Sequence, residues 1–176
     1  GIQATTVETI RERANSSIGS IYHHFGNKDG LIAALFFAAL DDQLALTHPR
    51  MQAAVSAKDA IEALVQSYLE WVTQQPGLAQ FMAQARASVA DGPFGQELLQ
   101  RNKKRYSHML EWLEKGVKEG AVLALPRETY ASLLIGPCEN YCRAWLSGRD
   151  KSRPTVFVQE FAQAAWRSVA TAGNAL

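Results

Sequence analysis

From Lys28 onward the apolar residues recur every three to four positions, and no stretch alternates apolar with polar residues between hairpin turns. That one periodicity restricts the chain to an all-α fold. Proline and glycine breaks then cut it into segments. The spacing predicts a helix over 28–46, with Leu31, Leu35, Leu40 and Leu44 inward and the Thr47-His48-Pro49 break beyond it. Further helices are predicted over 58–74, with Ile61, Leu64, Val65, Tyr68 and Val72 inward, and over 78–89 after Pro76-Gly77. After Asp91-Gly92-Pro93 a long helix over 94–119 is closed by Gly120. Two more span 127–147 and 155–172, with Gly148 and Pro154 bracketing the loop between them.

Composition bounds the class. The chain has 176 residues and 47% hydrophobic content, enough to bury one compact helical core or a small domain joined to a larger one. Eighteen Lys and Arg against 17 Asp and Glu make it neither strongly basic nor acidic. No run of 18 or more apolar residues is present to span a membrane, and the start lacks the basic-then-apolar layout of a signal peptide. The two cysteines, Cys138 and Cys142, do not make a disulfide framework. A cytoplasmic protein with no membrane partner is expected.

Ahead of Lys28 the punctuation is denser. Thr5 or Thr6 is an N-cap for a short helix in which Val7, Ile10 and Ala14 share a face, and Glu8 and Glu12 favour its first turns. After the Asn15-Ser16 turn, Ser17 caps a second helix with Ile18, Ile21, Tyr22 and Phe25 at three- and four-residue steps. Neither is long enough to stand alone in water. Two short helices joined by a tight turn form a helix-turn-helix, whose second member enters the DNA major groove and offers its N-terminal residues to base edges. Asn27-Lys28-Asp29 opens the next helix.

With its Ala-Thr-Thr-Val opening, its Gly-Ser-Ile-Tyr-His-His-Phe centre and its Asn-Lys-Asp-Gly-Leu close, the run from Gly1 to about Phe36 resembles the DNA-binding domain of the TetR family of transcriptional regulators. The resemblance implies that Ser17, Ile18, Gly19 and Ser20 open the recognition helix and carry specificity. It also implies that Tyr22, His24 and Lys28 meet phosphates, with Thr6 a further phosphate contact at a helix N-terminus. Members of the family carry another helix and a basic arm ahead of this point, so a helix preceding Gly1 is expected. The partner is double-stranded operator DNA. The visible part does not add a basic footprint, since Arg11, Arg13 and Lys28 are balanced by Glu8, Glu12 and Asp29.

The resemblance implies two domains: residues 1–46 hold the helix-turn-helix and connecting helix, and 47–176 form a larger helical domain for effector binding and dimerisation. The second region is rich in large apolar and aromatic side chains: Tyr68, Trp71, Phe81, Met82, Tyr106, Met109, Trp112, Leu113, Tyr141 and Trp145. Such residues either fill a core or line a mostly apolar pocket with a few polar handles. As pocket-lining residues they would receive a small, largely apolar effector of unknown identity. Ligand binding in the family alters the separation of the two DNA readers, which makes a repressor released by its effector the expected function. A homodimer follows from helices with apolar residues on two faces, for which Leu133, Leu134, Leu146, Val158, Ala162, Ala165, Trp166 and Val169 are the interface candidates.

Three features are read as structural. The run Arg101-Asn102-Lys103-Lys104-Arg105 is taken as a solvated helix face, because Glu97, Glu111 and Glu114 lie on the same helix. Cys138 and Cys142, at i and i+4, are taken as packing residues rather than a redox pair or metal site. Pro137 bends its helix, to make room for a ligand or to fit a neighbour. Neither catalytic residues nor a cofactor or metal are expected: there is no Gly-rich phosphate loop, no H-E-x-x-H site and no nucleophile elbow. The competing reading is an α-helical enzyme or small-molecule carrier that uses the aromatic residues directly.

Overall fold

The computed structural model describes His23 and residues 25–174. Among them are six α-helices: α1 (Lys28–Ala53), α2 (Ala57–Gln74), α3 (Pro76–Asp91), α4 (Gly95–Lys118), α5 (Arg127–Leu146) and α6 (Val158–Val169). Short 3-10 turns cover Pro154–Phe157 and Ala172–Asn174. Extended pairing in the described residues is confined to an isolated antiparallel bridge between Val122 and Ala170, so the all-α expectation holds.

The helices begin and end where local chemistry supplies partners for orphan backbone groups. Asn27 Oδ1 accepts the Gly30 N–H at 2.9 Å and opens α1, with Asp29 in the first turn. Ser56 caps α2 by accepting from the Asp59 N–H, and the Asp59 carboxylate accepts in return from the Val55 N–H. α3 starts at Pro76, two residues before the sequence expectation, because proline is preset for the first helical position. Gly120 and Gly148 have φ of 72° and 76° and close α4 and α5. At each, the glycine N–H and the next N–H turn back to helix carbonyls, Val117 and Gly116 in one case, Trp145 and Ala144 in the other.

Two elements depart from expectation. α1 does not stop at Thr47-His48-Pro49 but runs on to Ala53. Pro49 removes the donor for the Ala45 carbonyl, yet Ala45 is exposed and water can take that role. The last helix begins as a 3-10 turn and ends at Val169, since Leu123 N–H donates to the Val169 carbonyl at 2.7 Å and Ala170 turns extended. α5 is continuous through Pro137.

The chain divides into two compact units, described separately. One holds the described residues up to Asp41 together with Gly77–Asn102; the other holds Asp42–Pro76 and the residues from Lys103 onward. α3 and the start of α4 thus group with the residues ahead of Asp42. In the first unit Ile32, Ala33, Phe36, Phe37 and Leu40 of α1 pack with Ala85 and Val89 of α3 and Leu98 of α4. In the second, α2 packs on α5 and α6, and α5 on α6. Ile61, Val65, Leu69, Leu134 and Val169 are fully buried there.

α1 is long and apolar enough to cross a membrane by length and composition, which the count of consecutive apolar residues did not register. In the structure 56% of its most apolar window is buried inside the protein, as in a core helix.

α4 is closely packed at Gly116, where an added Cβ would lie 2.5 Å from Val122 Cγ2 and 3.1 Å from the Ala57 Cβ. Gly116→Ala is therefore expected to lower stability by about 1–3 kcal/mol through overpacking. Denaturant midpoints of the two proteins check this; an unchanged midpoint would mean that the contact relaxes freely.

Candidate effector site and DNA-reading residues

Among the described residues, 33 of the buried ones are hydrophobic, and the buried polar ones are Gln43, Thr47 and Ser67. All three lie in the second unit, on the last turns of α1 and on α2. A buried polar side chain is costly unless it finds a partner, so the partners mark what this interior is built to hold. Arg105 of α4 donates through Nη1 to Gln43 Oε1 at 2.9 Å and through Nη2 to its neighbour Tyr106 Oη at 2.6 Å. Its guanidinium carbon lies 4.7 Å from the Tyr106 ring centroid. Thr47 Oγ1 donates to the Gln43 carbonyl at 3.0 Å. Arg50 reaches Ser67 Oγ at 3.4 Å and pairs with Glu70 at 2.7 Å, while Gln66 donates to the same carboxylate.

Beside this seam His48 and His108 face each other, Nε2 to Nε2 at 3.3 Å, with ring centroids 4.9 Å apart. One of these nitrogens donates and the other accepts. Trp71 Nε1 donates to Asp42 Oδ2 at 2.7 Å. Burial pushes the Glu70 carboxyl up, but hydrogen bonds from Arg50 and Gln66 and the Arg50 charge together hold it below its usual value. Among the described residues no group of three metal-ligating side chains occurs.

The sequence candidates for the pocket do not converge on one place. Phe81 and Met82 pack against the hydrophobic cluster of the first unit; the other eight belong to the second. Trp71, Met109 and Leu113 are buried there. Tyr106 carries Arg105, and Trp112 lies 4.8 Å beneath Lys115 Nζ. Tyr141 meets Phe157 and Phe161 at 5.4 and 5.5 Å and donates its hydroxyl to the Ser152 carbonyl at 3.0 Å. Tyr68 and Trp145 are half-buried. A cleft of about 380 Å³ opens in the first unit, lined by α1, α4 and Phe94, and none of the ten faces it.

The run at 101–105 splits between two environments, which corrects its reading as one solvated face. Lys103 and Lys104 are exposed, and Arg101 pairs with Glu97 and Asp41 and lies over Phe37. Arg105 turns inward to Gln43. Sequence reasoning missed Gln43, Arg50, Ser67 and Arg105. The available signal was an arginine at helical spacing with Met109 and Leu113, an apolar face interrupted by a charge.

Of the DNA-contact candidates, Thr6, Ser17, Ile18, Gly19, Ser20, Tyr22 and His24 lie outside the described residues. Lys28 is half-buried and is the first residue of α1, beside the Asn27 cap. Of the interface candidates, Leu134, Ala162, Ala165, Trp166 and Val169 are buried within the chain. Trp166 Nε1 donates to the Asn174 carbonyl at 2.8 Å. Leu133, Leu146 and Val158 keep part of their surface.

The described residues form an all-α fold, and comparison with known proteins shows what the chain is similar to. Residues 1–35 match the family model described as bacterial regulatory proteins, tetR family. A relative, the HTH-type transcriptional repressor KstR2 of Rhodococcus jostii, is 28% identical over 122 residues, covering 69% of this chain and 59% of the relative. The chain thus aligns with about three fifths of that protein's length. A solved TetR family regulator from Marinobacter aquaeolei superposes with a TM-score of 0.77 at 18% identity, covering 93% of this chain and 84% of that one. FadR from Bacillus subtilis, solved in complex with stearoyl-CoA, gives 0.76 at 16% identity, covering 90% and 86%. The likeness to the family is thus one of sequence over residues 1–35 and of fold over most of the chain.

Cys138 and Cys142 are free and 1% exposed, as the packing reading expected. Burial pushes both thiols up to about 12, aided for Cys138 by nearby Glu139 and for Cys142 by Cys138 and Glu139. Unfolded thiols ionise near 8.5. The stabilisation from these raised values is complete below that pH and is lost as pH rises toward 12, because the unfolded chain releases protons first. Stability should fall by at most about 1.4 kcal/mol per pH unit per thiol above pH 9. Unfolding midpoints at pH 8 and 10 should converge in Cys138→Ala/Cys142→Ala; an equally steep fall in that variant would place the alkaline sensitivity elsewhere.

Proposed function

We propose that this chain is a ligand-responsive DNA-binding transcriptional repressor, acting as a cytoplasmic homodimer that leaves its operator when a small, largely apolar effector binds. The observation that carries the reading is the family match over residues 1–35, which spans every DNA-contact candidate from Thr6 to Lys28. Residues 1–46 read DNA. Ser17, Ile18, Gly19 and Ser20 supply specificity, and Thr6, Tyr22, His24 and Lys28 supply phosphate contacts that set affinity and register. The position of Lys28 at the capped start of α1 supports its share, because backbone N–H groups and a cationic side chain both favour an anionic oxygen there.

Residues 47–176, with the last turns of α1, take the effector, and the polar seam inside the second unit supports that assignment. The FadR complex supports an effector with a long apolar part, since a chain of this fold there holds stearoyl-CoA. Effector binding lowers DNA affinity by favouring a geometry that misplaces the two readers.

Dimerisation uses the outward faces of α5 and α6, where Leu133, Leu146 and Val158 keep exposed area. On α6, Gln159, Glu160, Gln163, Ala164 and Arg167 point outward. Ala164→Glu places a second carboxylate one turn from Glu160 on both copies, and sedimentation should show a shift from dimer to monomer. A dimer of undiminished stability would move the interface off this face.

The test of function is binding of the full polypeptide to duplex DNA from beside its own gene, titrated against salt and a nonspecific duplex. Selective binding that weakens steeply with salt is expected. Lys28→Ala should weaken binding to all sequences and reduce the salt slope by about one, whereas Ser20→Ala should change sequence preference. Absence of binding to any duplex would overturn the regulator reading.

A further inference from the structure

We propose that Arg105 anchors the head group of the effector, and that the effector is therefore an amphiphile with a carboxylate or phosphate at one end of an apolar body. The inference rests on the effector reading above and specifies its chemistry. Arg50 pairs with Glu70, Arg101 with Asp41 and Glu97, Arg127 with Glu114, and Lys115 with Glu119. Arg105 is different: it is half-buried, and its partners are neutral oxygens, Gln43 Oε1 and Tyr106 Oη. Taking a guanidinium out of water costs free energy that a neutral acceptor only partly returns, whereas an anionic acceptor makes a bond roughly twice as strong. The planar fork suits the paired oxygens of a carboxylate or phosphate. An anion replacing Gln43 Oε1 would supply the missing charge.

The surroundings give the ligand a direction. On α4, Met109 and Leu113 follow Arg105 at i+4 and i+8, and both are buried. On α1, Met51 follows Gln43 at i+8 and is also buried, with Thr47 between. The pairs Gln43–Arg105 and His48–His108 show that the two helices run in the same direction through the second unit. One end of the seam is therefore cationic and the other apolar and rich in adaptable methionine. Of the acidic groups around the seam, Glu70 is paired with Arg50 and Asp42 accepts from Trp71, while Glu111 is exposed and 3.7 Å from His108 Nδ1.

Three probes that share a ten-carbon chain separate the possibilities: decanoate, decyl phosphate and decanol, each titrated calorimetrically into the full polypeptide below its aggregation concentration. At least one anionic probe should bind about tenfold or more tightly than decanol, and whichever is tighter identifies carboxylate or phosphate as the preferred head. Arg105→Gln should remove that preference while leaving decanol affinity unchanged, and Arg105→Lys, which keeps charge but loses the fork, should retain part of it. Thermal unfolding of both variants establishes that they fold. Unchanged anion affinity in folded Arg105→Gln, equal affinity for decanol and the anions, or no binding by any probe would overturn the proposal. Salt-sensitive DNA binding, measured on the same wild-type sample, tests the regulator reading separately: it can survive failure of the head-group proposal, and its loss would not erase a measured head-group preference.

Discussion

Burying a polar side chain without a partner costs several kilocalories, and the second unit accepts such groups at Gln43, Thr47 and Ser67 only by building a network around them. Each has its partner on an element it packs against or in its own helix: Arg105 for Gln43, the Gln43 carbonyl for Thr47, Arg50 for Ser67. Such a network specifies one packing arrangement, because sliding a helix by one turn would break the bonds that cross between helices, Arg105 to Gln43 and Arg50 to Ser67, together. The first unit is organised by the opposite rule. Its cluster of Ile32, Phe36, Phe37, Leu40, Val89 and Leu98 is apolar throughout, and its stability follows from area and fit.

α1 serves both rules in succession. Over its first turns Leu31, Phe36 and Leu40 are buried; over its last, Gln43, Thr47 and Met51. The apolar period continues across the change because Gln43 and Thr47 occupy the positions that leucines hold earlier. A helix that simply tethered a reader to a core would not need buried polar residues at its far end. Their presence there supports placing recognition in the second unit.

The sequence made the helices legible because their ends are chemical signals that act locally: the Asn27 cap, Pro76 at a first position, Gly120 and Gly148 with positive φ. Local signals failed where a distant or solvent partner decides. Pro49 marks a break by composition, yet the helix passes it because an exposed carbonyl costs little. Ala162, Ala165 and Trp166 read as a second apolar face on α6, whereas they fill the chain's own core against α2 and α5. The ten pocket candidates stand out in the sequence by bulk and polar tips, which a core shares with a pocket. What a sequence pattern omits is which helix faces which, and the polar partners Gln43 and Ser67 become visible only when that is given.

Arginine shows how much depends on that information. Arg101 and Arg105 are one turn apart on α4 and indistinguishable by spacing and type. Burial would lower the Arg101 pKa, but Glu97 and Asp41 outweigh it and hold the group charged in a fixed salt bridge on the first unit. A cation with two carboxylates has little left to offer a ligand, since any new anion must displace one already in place. Arg105 faces amide and phenol oxygens, so an incoming anion replaces a weaker acceptor with a stronger one and leaves no acid stranded. The same residue type is thus structural at one position and free for recognition at the other, and the distinction lies in the partners' charge.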